Sequence, residues 1–364
     1  MSEVIVKGLI KYFKGKRVLD EVSIKFPKGS LTVILGPPGS GKTTLLRIIA
    51  GVERPDAGEV YIDGSNVTEV PPSKRDVSMV FQTLAVYPSM TVYDNIASPL
   101  RLRGCREEEI DKRVREVAKL LHISHLLNRE PINLSGGEIQ RVAIARAIIR
   151  KPKVYLFDEP FVNLDAKIRS ELRDELRELK EKLRQTIIFA TPDPLEALSL
   201  GDYLVVINKG RIVQEGTPQQ IYYRPFNTFV AEYVGNPSMN LLKGEIREEG
   251  GKLAFIGEGI KILMPNSLPK AVRDRSVIMG IRPEDLTLFP PKSALEGVVK
   301  LYGKVYTIEV LGADTILHVK MGNLLIRALL PYMYRPKISS EVNLYVHSSK
   351  IYFFDAKTLK FIEG

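Results

Sequence analysis

Tryptophan is absent from this chain of 364 residues, cysteine occurs once and histidine four times. The single Cys105 rules out an internal disulfide and fits a reducing compartment. His122 and His125 stand three apart, a spacing that suits a metal, but no cysteine or carboxylate cluster accompanies them and the pair reads as an exposed helix end. No apolar run approaches a membrane span, and the start, Met1-Ser2-Glu3-Val4-Ile5-Val6-Lys7, lacks a long apolar run behind a basic end, so the expected location is cytoplasmic. A basic run interleaved with aromatics is also missing. Lysines and arginines are scattered among acids, as in Arg106-Glu107-Glu108-Glu109, so the net charge of +10 is not read as nucleic-acid binding. The 44% hydrophobic and 26% charged residues describe a soluble, globular chain long enough for two domains.

What is present begins with Gly36-Pro37-Pro38-Gly39-Ser40-Gly41-Lys42-Thr43. It follows the apolar run Leu31-Thr32-Val33-Ile34-Leu35 and precedes Thr44-Leu45-Leu46-Arg47-Ile48-Ile49, the strand, glycine loop and helix order of a phosphate-binding loop. Glycines at 36, 39 and 41 let the backbone curl close to a ligand, so N–H groups converge on phosphate oxygens at a helix N-terminus. Lys42 then supplies a charge at the β- and γ-phosphates and the Thr43 hydroxyl a ligand for Mg²⁺. Pro38 removes one possible donor.

Before this loop, turns at Lys14-Gly15-Lys16 and Pro27-Lys28-Gly29 divide strand-like segments. Tyr12-Phe13 offers a face for a purine, with Val18 close in sequence. Beyond the loop, Gly58-Glu59-Val60-Tyr61-Ile62 reads as a short strand, and Val77-Ser78-Met79-Val80-Phe81 as a buried one ending at Gln82, whose amide can reach a metal or its water. Residues 92 to 130 turn helical. Ile110, Val114, Val117, Leu120 and Leu121 define an amphipathic helix.

Leu134-Ser135-Gly136-Gly137-Glu138 opens another helix with a capping box from Ser135 to Glu138. Gly136-Gly137 bares the N–H groups of its first turn, a second anion site. Val154-Tyr155-Leu156-Phe157 leads into Asp158-Glu159-Pro160, a buried strand delivering two carboxylates: Asp158 to hold Mg²⁺ through water, Glu159 to orient and deprotonate an attacking water. Ile168, Leu172, Leu176, Leu179 and Leu183 form a helical core stripe. With Thr186-Ile187-Ile188-Phe189-Ala190, these strands and helices predict a mostly parallel α/β sheet.

The phosphate loop, Gln82, the Ser-Gly-Gly helix start and Asp158-Glu159 stand in the order and spacing of ATP-binding cassette (ABC) ATPases, which the chain resembles over essentially its whole length. The resemblance implies a P-loop NTPase domain over 1–235 with a helical subdomain over about 88–150, then a small all-β barrel of the OB/TOBE type over 236–364. It implies head-to-tail dimers in which ATP lies between one phosphate loop and the partner's Ser-Gly-Gly start. Ser135, Gly136, Gly137 and Glu138 then serve the partner's nucleotide, Phe13 stacks on adenine, Val18 and Gly36 to Thr44 bind the nucleotide, and Asn163-Leu164-Asp165 lies at the dimer seam. Lys42, Gln82 and Glu159 are the implied catalytic residues, and Thr43, Gln82 and Asp158 the implied Mg²⁺ ligands. Ala85, Tyr87 and Met90 fall near the groove that grips a transmembrane partner.

Past Val234-Gly235-Asn236-Pro237-Ser238-Met239-Asn240, alternating strands such as Tyr306, Ile308 and Val310 on one face, and Val342, Leu344 and Val346 later, predict a partly closed barrel. Together with Gly280-Ile281-Arg282-Pro283-Glu284, this region is similar to the C-terminal regulatory domain of ATPase subunits of prokaryotic sugar importers. Iron, sulfate, molybdate and polyamine importers share the barrel type. The expectation is an ATPase subunit that closes a homodimer on ATP against two permease subunits, peripheral on the cytoplasmic face of the cell membrane, with a solute-binding protein as indirect partner. A non-transport regulatory ABC protein and a soluble ABC protein of repair or translation are the competing readings; the last is disfavoured because neither a second cassette nor a long coiled-coil insert is present.

One position departs from the family. Where a His usually follows the Thr, the run is Phe189-Ala190-Thr191-Pro192-Asp193-Pro194, and Pro192 offers neither side-chain nor backbone donor. Losing a donor aimed at transition-state charge costs roughly 2.7–4 kcal/mol. Three consequences stay open: slow hydrolysis, an ATP clamp without turnover, or pairing with a second ATPase that keeps its His. Val162 also stands where a Ser is usual.

Overall fold

The computed structural model describes residues 2–83, 85–162, 164–183, 185–290 and 296–363, which divide into two compact units, Met1–Pro218 and Gln219–Gly364.

In the first unit, a six-stranded sheet among the described residues runs in the order Arg211–Gly216, Tyr203–Asn208, Leu31–Leu35, Thr186–Thr191, Val154–Asp158, Val77–Val80. Every pairing is parallel except that of the two strands from 203 to 216. All residues of Leu31–Leu35, Val154–Asp158 and Thr186–Thr191 are buried. Continuous apolar runs suit this, because helices cover both faces of a parallel sheet and no solvent face calls for alternation. The register sets Leu35 beside Thr191 and Asp158 beside Ala190. The loops leaving Leu35, Thr191, Asp158 and Val80 therefore emerge in a row at one carboxyl edge.

An antiparallel sheet of Lys16–Phe26, Val4–Phe13, Ala57–Ile62 and Ser65–Asn66 lies in the same unit. The helical insert comprises Val92–Arg101, Glu107–Leu120 and Gly136–Ile148. Ile110 and Val114 are buried on the middle helix, with Leu121 just past its end, whereas Val117 and Leu120 of the expected stripe are half-buried and Ala118 is buried in addition. The long helix Ala166–Leu183 buries Leu172, Leu176 and Leu179.

The second unit holds two antiparallel sheets. One is ordered Ile260–Met264, Lys252–Gly257, Asn240–Glu249, Arg275–Ile281, Ile351–Asp355, the other Leu324–Leu330, Asp314–Met321, Val298–Leu311, Glu341–His347. Their facing side chains, among them Ile246, Phe255, Met279, Leu301, Leu317 and Leu344, form one core.

One sequence expectation changes here. Tyr306 does not share a face with Ile308 and Val310: the register slips between Val305 and Thr307, and Tyr306 is 58% exposed. A β-bulge moves the inward set from odd to even positions, which strict alternation cannot foresee. The division between the two compact units falls between Pro218 and Gln219. The helices Pro218–Tyr223 and Thr228–Tyr233 are fastened within the second unit by Arg282, 1% exposed, whose guanidinium donates to Val234 O at 2.9 Å and to Tyr222 O and sits 3.6 Å from the Tyr222 ring centroid.

Candidate active site

At the carboxyl edge of Leu31–Leu35 the chain turns through Gly36 to Gly41 and enters the helix Lys42–Ala50. Gly41 caps that helix in the left-handed region at φ 109, and a Cβ there would stand 2.8 Å from Leu19 Cδ2. Glycine is thus demanded both by conformation and by the close approach of the Val18–Leu19 backbone. A Cβ on Gly36 would meet Ile207 O at 2.3 Å. Ser40 N donates to Pro37 O at 3.1 Å, and Ser40 Oγ is buried with no hydrogen-bond partner among the described residues.

Lys42 is almost wholly buried. Its ammonium donates to Gly36 O at 2.8 Å and Pro37 O at 3.2 Å and lies 3.0 Å from Glu159 Oε1. An ammonium has three donors, and all three are engaged. Thr43 Oγ1 donates to Asp158 Oδ1 at 2.9 Å. Asp158 is 1% exposed, and burial pushes its carboxyl up, with the negative Glu159 adding to the shift and the Thr43 hydroxyl opposing it. Glu159 adopts a left-handed backbone at φ 46, held by its N–H on Ala190 O at 3.0 Å. For a residue bearing a Cβ that conformation costs about 1–2 kcal/mol, and it turns the carboxylate from the strand end towards Lys42. A cleft of ≈ 110 Å³ is lined by Val18, Gly39, Lys42, Thr43, Thr44 and Glu159 among others.

The structure therefore brings together Val18, the phosphate loop, Asp158 and Glu159. Gln82 is exposed just beyond Val77–Val80 on the same edge. Phe13 ends its strand 43% exposed, with the Lys11 ammonium 5.1 Å from the ring centroid. Thr191 O accepts from Gly36 N at 3.4 Å, so Pro192 follows directly on the strand between the phosphate loop and Asp158.

Ser135 to Glu138 do not line this cleft. Ser135 caps the helix Gly136–Ile148 with the expected reciprocal box: its oxygen accepts from Glu138 N at 3.4 Å, and its N–H and hydroxyl donate to Glu138 Oε2 at 2.7 and 2.8 Å. The Ser135 N–H on its carboxylate holds Glu138 below the usual range. Gly137 has a packing reason that motif reading missed, since a Cβ there would meet Ile168 Cγ2 at 2.8 Å. Leu164 approaches Gly136 in the same way, at 3.4 Å from its would-be Cβ. Asp165 Oδ1 accepts from Lys167 N and Ile168 N, capping the long helix. Asn163 lies outside the described residues.

The family described as ABC transporter matches residues 19–162, and the MalK OB fold domain matches 235–286. The trehalose/maltose import ATP-binding protein of Thermococcus litoralis is 42% identical over 379 residues, covering 100% of each chain. This chain belongs to the ABC ATPases. A second relative of this ABC ATPase is the sn-glycerol-3-phosphate import ATP-binding protein of Chromobacterium violaceum, 41% identical over 100% of this chain and 97% of the relative. The sulfoquinovosyl glycerol transport ATP-binding protein of Agrobacterium fabrum is 40% identical over 98% and 99%. Among solved structures, a dimeric ATP-binding cassette in a post-hydrolysis state bound to ADP and Pi aligns with a TM-score of 0.54 and 31% identity, covering 59% of this ABC ATPase and 98% of that chain. No helix among the described residues is long and apolar enough to cross a membrane.

Proposed function

We propose that this ABC ATPase is the ATP-hydrolysing subunit of an importer for a sugar or a polyol derivative, working as a dimer on two membrane subunits. The observation that carries the reading is the meeting of Lys42, Thr43, Asp158 and Glu159 at one carboxyl edge. Lys42 is shared by two loop carbonyls and Glu159. Phosphate oxygens entering the loop compete for that ammonium and release Glu159. The free carboxylate then orients a water and takes its proton as the water attacks the γ-phosphorus and the bond to the bridging oxygen breaks. Hydrolysis reopens a dimer that ATP had closed.

The donor set suits Mg²⁺: a hydroxyl and a buried carboxylate, hard oxygens 2.9 Å apart at the loop. Thr43 and, through water, Asp158 would hold the ion, with Gln82 reaching it from the next strand end. When bound it neutralises charge developing on the phosphates.

Pro192 places no imidazole at the γ-phosphate, so the reading assigns catalysis to Glu159 with a lowered rate. Docking on membrane subunits is supported by a groove of ≈ 340 Å³ lined by Phe81, Ala85, Tyr87, Leu102, Arg146 and Arg150, among others. Arg146 donates to Ala85 O and stacks 4.5 Å over Tyr87. The sugar or polyol class follows from the relatives' names, the importer assignment from a likeness that includes the C-terminal barrel. Purification of the chain from native membranes tests it. Recovery with two membrane subunits and sugar-stimulated ATP hydrolysis is expected; a chain that stays free of membrane subunits contradicts import.

A further inference from the structure

Arg169 lies outside the phosphate loop and outside every motif read from the sequence, yet it touches the two loops that flank the chemistry. Its Nη2 donates to Leu164 O at 3.1 Å, in the segment after Asp158-Glu159. Its Nη1 lies 3.6 Å from Asp193 Oδ2 and its Nε 3.9 Å from Glu196 Oε1. Both acids give Arg169 one oxygen and keep the other for their own loop. Asp193 Oδ1 accepts from Leu195 N and Glu196 N, capping the helix Pro194–Leu200. Glu196 Oε2 accepts from Thr191 Oγ1 at 2.5 Å. Thr191 closes the circuit, because its Oγ1 accepts from Asp193 N and its carbonyl from Gly36 N of the phosphate loop.

On its other side, Arg169 belongs to a rigid block. Its backbone N–H bonds Asp165 O at 2.9 Å, and the preceding Ile168 packs against Gly137. Further along the same two helices, one turn past Gly137 and about two turns past Ile168, Arg141 forks onto Glu175 at 3.0 and 2.7 Å. The Ser135-Gly136-Gly137 start and the Leu164-Asp165 segment are therefore locked to each other. Arg169 joins this block to Asp193 and Glu196, and through Glu196 to Thr191. At 3.6 and 3.9 Å its ion pairs stand beyond hydrogen-bond length, and its buried Nε has no hydrogen bond among the described residues, so a small closing movement has contacts left to make.

We propose that Arg169 is a positioning residue that couples the surface serving a partner's nucleotide to the chain's own γ-phosphate loop, making the two sites of a dimer act cooperatively. This rests on the dimer reading of the preceding subsection. With Pro192 in place of an imidazole, the backbone of that loop is what remains to be positioned, and Asp193 and Thr191 on either side of it are the handles.

The test uses the full chain in a Glu159→Gln parent, so that dimer formation is read without turnover. Sedimentation against ATP concentration is measured for the parent, Arg169→Met, Arg169→Lys and Arg169→Met with Glu196→Gln, alongside binding of a fluorescent ATP analogue at protein concentrations where the chain is monomeric. Arg169→Met is expected to raise the half-saturating ATP for dimerisation by about tenfold and to flatten its Hill slope towards 1, with monomer binding unchanged. Arg169→Lys, which keeps the charge and loses the fork, falls between. Adding Glu196→Gln to Arg169→Met changes little further, because the contact is already gone. Unchanged midpoint and slope in Arg169→Met overturn the proposal, as does an equal loss of monomer binding, which marks a merely structural residue. Should Arg169→Met not fold, the Arg169→Lys slope decides: a slope equal to the parent's overturns the coupling. A parent that forms no dimer with ATP overturns the dimer reading itself and the proposal with it.

Discussion

Two helix starts in this chain invite the same ligand and are built in opposite ways. The start at Lys42 is enclosed: its lysine is buried, two carboxylates face it, and neighbouring strands press on its glycines. The start at Gly136 is open, with Ser135 and Gly136 exposed and its box closed by Glu138 on the same turn. An enclosed start can hold and transform a nucleotide within one chain, whereas an open one supplies N–H groups to something brought from outside. On the dimer reading proposed above, the comparison accounts for why one chain carries both: each would be half of a site.

The largest effect that sharpens this contrast is at Lys42. Lys42→Ala removes a buried, fully engaged ammonium and leaves Glu159 without its cation. Nucleotide affinity of the monomer should fall by about 10²-fold or more in equilibrium binding, in line with truncation of a buried charge pair. If monomer affinity is unchanged, the enclosed start is not the nucleotide site.

A smaller effect is expected at the open start. Gly137→Ala drives a Cβ to 2.8 Å from Ile168 Cγ2, and overpacking of this kind costs typically 1–3 kcal/mol. Because Ile168 is only half-buried and has room to shift, the lower end is expected, read as a modest fall in Tm. ATP-driven dimerisation should weaken while monomer binding stays intact. Loss of monomer binding in this variant would erase the distinction between the two starts.

The smallest effect concerns the charge stored at the enclosed start. Burial raises Asp158, so the folded chain binds its proton more tightly than the unfolded chain does. Stability is therefore lost as pH rises from the unfolded carboxylate value through the raised folded one, and stays lost above it. Asp158→Asn should raise Tm at about pH 7 by roughly 2–4 °C, with the gain shrinking as pH falls towards about 4. A Tm unchanged or lowered at neutral pH would mean that the carboxylate is not a stored cost. Such a residue is retained for what it binds rather than for the fold.

Much of this was legible in the order of residues. The glycine loop and the apolar runs at 31–35, 77–80 and 154–157 announce a parallel sheet, because burial on both faces leaves a continuous signature. The capping box at Ser135 is local and needs no tertiary knowledge. What escaped reading depends on distant partners. Gly137 looks like a bare anion site in sequence, and its contact with Ile168 emerges once two helices pack. The left-handed turn at Glu159 and the triple engagement of Lys42 arise where strands from three parts of the chain end together. Arg169, Asp193 and Glu196 resemble ordinary surface charges until the fold sets them side by side. Tyr306 was misplaced by a single bulged residue.

The measurement that tests the central claim most directly is steady-state Mg-ATP hydrolysis by the purified full chain, beside Glu159→Gln and Pro192→His. The account predicts wild-type turnover at least about 10²-fold above Glu159→Gln, the scale of a positioned general base. It predicts a further rise of about tenfold in Pro192→His, less than the about 10²–10³ of a donor built into its site, because the loop has settled around proline. Wild-type turnover no higher than that of Glu159→Gln would contradict it, and restoration by Pro192→His alone would move the chemistry from Glu159 to the missing imidazole.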